Sequence, residues 1–133
     1  MSGETDLRKL LSGLMPALSP DEFVFVSVPD ADVPFSSLRK VKGMFREAEG
    51  VTLICERREA NEQGFCYSGV FRLITCEVHS SLDAVGMTAA MAAALTKAGI
   101  SANVVAAYYH DHIFIPCDRA AEAVAVLKAL GNA

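Results

Sequence analysis

Residues 103–116 read Asn103-Val104-Val105-Ala106-Ala107-Tyr108-Tyr109-His110-Asp111-His112-Ile113-Phe114-Ile115-Pro116. Asn103 to Tyr108 has strand character, Tyr109-His110-Asp111 makes a turn, and His112 to Pro116 returns as a second strand. Upstream, Met87, Met91, Ala94, Leu95 and Ala98 recur at helical spacing, and Gly99 follows as a stop. Further upstream, Val70 to Val78 alternates well enough for one long strand. Downstream, Asp118 stands where it can cap a last helix carrying Ala120, Val124, Leu127 and Leu130. The order strand, helix, strand, strand, helix is the core of a split β-α-β, or ferredoxin-like, pattern.

The first half repeats that pattern without repeating its sequence. Leu7, Leu10, Leu11, Leu14 and Leu18 predict a helix over about 6–15, with Thr5 or Asp6 as its cap and Pro16 limiting its end. Glu22 to Val28 is β-branched and aromatic and stops at Pro29-Asp30, which predicts a strand. Phe35, Leu38 and Val41 suggest a short helix ended by Gly43. Met44-Phe45-Arg46-Glu47, a link at Ala48-Glu49-Gly50, and Val51 to Cys55 predict a hairpin. Glu56 to Gln63 is helix-permissive, with Gly64 placed as its C-cap. The expected fold is therefore α+β, with two ferredoxin-like βαββαβ lobes, antiparallel sheets and helices on one face. The second lobe lacks its own fourth strand. Its open edge must be filled by the other lobe or another copy, or stay open, and the strand at 70–78 could serve both sheets.

Composition supports two lobes. Residues 1–70 hold 19 of the 28 charges, whereas 16 of the 20 alanines come after residue 80. The shift falls near Ser68-Gly69, which sets expected lobes at 1–68 and 69–133. Apolar residues make up 52% of the 133 and charged residues 21%, too apolar for disorder. The net charge of −4 argues against a general nucleic-acid binder and against charge-driven membrane attachment. No segment has the length and flanks of a membrane span, and Met1 to Asp6 carries no signal-peptide pattern. Cys55, Cys66, Cys76 and Cys117 form no CxxC pair, as expected of reduced, mostly buried thiols in the cytoplasm.

Few residues carry chemistry. His79-Ser80-Ser81-Leu82-Asp83-Ala84-Val85-Gly86 joins a strand end to a helix start. Free N–H groups and the helix dipole favour a carboxylate or phosphate there, and Gly86 permits close approach. The same segment also reads as plain capping, since Ser80 and Asp83 have capping-box spacing. His110, Asp111 and His112 suit a divalent metal only if His79 completes the set; turn or interface histidines are the alternative. Ser80 and Ser81 lack a nucleophile elbow. No basic residue near Cys76 or Cys117 would activate a thiol. Arg57-Arg58 and Arg39-Lys40 are short basic patches of a solvated face, and no P-loop or G-x-G-x-x-G is present.

The runs Val78 to Thr88, Ala98 to Val104 and Ala107 to Pro116 resemble an ACT domain. With Phe23 to Pro29 and Phe45 to Leu53, nearly the whole chain resembles small stand-alone proteins built from two ACT-like lobes. The resemblance implies a non-catalytic regulatory module that senses an amino acid or a similar metabolite between lobes or subunits. It implies a ligand loop at Ser81 to Met87, and ligand contacts from Asp83, Ala84, Val85, Gly86, Met87, Asn103 and Val104. It implies no cofactor and no metal. The expected partners are a small-molecule ligand, a second copy in a homodimer and a regulated enzyme that the sequence does not name. The rival expectations are a ligand-free interaction module and a metal-dependent enzyme using His79, His110 and His112.

Overall fold

The computed structural model describes residues 7–33, 36, 40–77 and 86–131. The elements run α1 (Leu7–Ser12), β1 (Met15–Val28), β2 (Val41–Glu47), β3 (Gly50–Glu56), α2 (Arg57–Gln63), β4 (Phe71–Glu77), α3 (Met87–Lys97), β5 (Asn103–Ala106), β6 (Asp111–Pro116) and α4 (Ala120–Gly131). Short 3-10 turns at Asp30–Asp32 and Cys117–Arg119 precede β2 and α4. The strands form one six-stranded sheet in the order β2-β3-β1-β4-β6-β5, an α+β fold. The chain divides into two compact units, Asp21–Phe71 and Met1–Pro20 with Arg72–Ala133.

In the 21–71 unit, β3 pairs antiparallel with β1 and β2. Val28, Val26 and Val24 stand opposite Val51, Leu53 and Cys55, so one face of the ladder is continuously apolar. These residues are buried and Ala60 of α2 covers them. Helix α2 stops at Gly64, whose φ of 72° is the left-handed conformation of a glycine C-cap.

In the split unit, α1, α3 and α4 gather over β4 and β6. Ile74 and Cys76 on β4, and Ile113 and Ile115 on β6, are two residues apart and so face the same side. Leu10, Met91, Leu95, Ala123 and Leu127 close over them. The Arg119 guanidinium donates to Ala98 O (3.0 Å) and Gly99 O (3.2 Å), satisfying carbonyls at the end of α3, and pairs with Glu122 at 2.8 Å. It ties the end of one helix to the start of the next.

Three expectations are corrected. The first helix ends at Ser12: the Gly13 N–H turns back to Lys9 O and Leu10 O, and the Ser12 hydroxyl donates to Lys9 O at 2.9 Å. Leu18 lies instead on β1, which starts seven residues earlier than Glu22. Val41 and Gly43 belong to β2, where the register against β3 shifts between them. Gly43 therefore marks a bulge over Ile54 rather than a helix end. Phe35 and Leu38 lie outside the described residues.

Gly50 opens β3 against β1. A Cβ there would lie 2.9 Å from Val28 O, a backbone atom that cannot swing aside. Gly50→Ala is expected to destabilise the protein by about 1–3 kcal/mol, read as a lower urea midpoint at unchanged m-value.

Candidate functional site

Helix α3 begins at Gly86, with φ 94°. As N-cap, Gly86 brings no side chain to the first-turn N–H groups. Its own carbonyl accepts from the Ala90 N–H at 2.8 Å. Such a helix start favours a carboxylate. Its flank is partly occupied: a Cβ on Gly86 would lie 3.2 Å from Leu7 Cδ2, so α1 approaches closely there. His79, Ser80, Ser81, Asp83, Ala84 and Val85 lie outside the described residues.

Of the other expected contacts, Met87 is buried in the core. Strand register sorts the rest. Val104 pairs with Ile113, which is fully buried beneath the helices, and Val104 packs against the same core. Asn103 pairs with Phe114 and Val105 with His112, so these four take the opposite face. The structure thus brings Met87 and Val104 together in the core and leaves Asn103 exposed on the far face of an edge strand.

That far face carries a contact that the sequence reading did not single out. Thr75 Oγ1 and His112 Nδ1 lie 3.0 Å apart, linking β4 to β6. Alternation along each strand was the available signal, because Thr75 stands between Ile74 and Cys76, and His112 lies two residues before Phe114 on the same face. At the hairpin tip, Tyr108 and Tyr109 are exposed and pack edge to face at 5.0 Å. His110 and His112 are 6.4 Å apart between ring centroids, nearly perpendicular. Among the described residues no three His, Cys, Asp or Glu side chains gather to hold a metal.

The thiols are not uniformly buried. Cys55 and Cys76 are buried, Cys117 is half-buried and Cys66 is exposed. Burial pushes the Cys76 thiol up to about 12, with the Asp111 charge adding to it, and burial also raises Cys55. Neither offers a thiolate near neutral pH. Of the basic pairs, Arg57 reaches Glu22 and the Tyr67 hydroxyl, both at 3.1 Å, Arg58 reaches Glu56 at 3.4 Å and Lys40 reaches Glu59 at 3.6 Å, while Arg39 lies outside the described residues. No helix among the described residues is long and apolar enough to cross a membrane.

ACT domain family models match residues 2–72 and residues 70–129. A solved protein of unknown function from Vibrio cholerae, described as a possible transport protein, is 43% identical. The match covers 94% of this chain and 95% of that one, with a TM-score of 0.84. The regulatory subunit of aspartate kinase from Thermus thermophilus is 13% identical over 86% of this chain and 95% of that one, at a TM-score of 0.65. A protein from Agrobacterium tumefaciens is 13% identical over 89% of each chain, at 0.66. These last two likenesses are of fold. No curated protein matches the chain.

Asp111 gives β6 a pH dependence. Burial raises its carboxyl above the ordinary range, against the opposing effect of His112. An acid raised in the folded state favours folding most when protonated in both states, and loses that contribution as pH climbs from its ordinary to its raised value. Asp111→Asn is therefore expected to stabilise the protein at pH 7 relative to the parent chain, with the advantage shrinking as pH falls below the ordinary carboxylate range. Urea unfolding at pH 7 and in that lower range checks it.

Proposed function

Because this chain belongs to the ACT domain family, we propose that it is a non-catalytic regulatory module that binds a small metabolite of the amino-acid class. The observation that carries this reading is a pair of ACT matches spanning residues 2–129, combined with a glycine-capped helix start. The ligand α-carboxylate meets the N–H groups near Val85, Gly86 and Met87. Its ammonium group meets Asp83, a backbone carbonyl or the Asn103 side-chain oxygen. Ala84 completes the apolar surround, and Val104 supports the site from the core side, within lobes taken as 1–68 and 69–133. The edge position of β5 and the exposure of Asn103 support a site completed by a second copy, hence a homodimer in the cytoplasm. A ligand shared between copies reports its presence by changing how they pack, which is how such a module would act on a partner enzyme.

A ligand-free interaction module is the second reading, and Leu7 against Gly86 favours it: the glycine then serves packing. Thermal unfolding against a panel of amino acids separates the two. A true ligand at 100 times its Kd should stabilise by about 2.7 kcal/mol. Asn103→Ala should then weaken binding about tenfold, the loss of one charge-assisted hydrogen bond. A panel with no stabilising amino acid supports the interaction module, and unchanged affinity in Asn103→Ala removes that residue from the site.

A further inference from the structure

We draw no further inference here: the strongest candidate, the open edge of β5 with the exposed Val105, Tyr108 and Tyr109 on and beside it, carries nothing beyond the homodimer already proposed, because nothing in the structure shows what covers it.

Discussion

The split unit depends on strand β1. A strand-helix-strand-strand-helix segment makes only three strands, which leaves the outer edge of β4 with unpaired backbone groups. In this chain β1 occupies that edge, and its first six residues, Met15 to Pro20, group with residues 72–133. The Arg72 guanidinium fastens the arrangement, donating to the Ser19 carbonyl at 3.0 and 2.7 Å. With β4 covered on both edges, Ile74 and Cys76 form a continuous floor with Ile113 and Ile115, and three helices have something to pack against. The position of Gly86 follows, since it opens the helix that this floor holds in place.

Periodicity made most of the fold legible. Met87, Met91 and Leu95 all turned out to be buried, as their spacing along α3 requires. The hairpin at 44–55 has the expected strands, linked at Ala48-Glu49, because Val51, Leu53 and Cys55 alternate cleanly. Reading failed where one residue type serves two purposes. Leu18 continues the leucine spacing of α1, yet it lies on a strand rich in Pro, Ser and Asp whose pairing comes from far along the chain. Gly43 looked like a helix stop, but a bulge needs a small residue for the same lack of a side chain.

The site was legible to a lesser degree, for a physical reason. Sequence spacing states which residues share a face, but not which face is covered. Asn103 and Val104 are adjacent in sequence, and adjacency in a strand sends them to opposite sides. Gly86 was readable as a point of close approach. What approaches it in the described residues is the Leu7 side chain, and nothing in the local sequence pairs those two. The pairing of Lys40 with Glu59 was less legible still, because it joins α2 to a residue ahead of β2, and a basic patch gives no hint of a buried glutamate.

The division of β1 between two units also orders events during synthesis. Residues 21–71 are continuous, so β2, β3 and α2 can close on the later part of β1 as soon as they emerge. Residues 7–20 have no such local option. They must wait until β4 arrives more than 50 residues later, and joining them closes a long loop whose entropy the later contacts have to offset. Residues 7–20 are therefore among the last of these elements to find their place, and α1 settles only once α3 and α4, which it packs against, have followed.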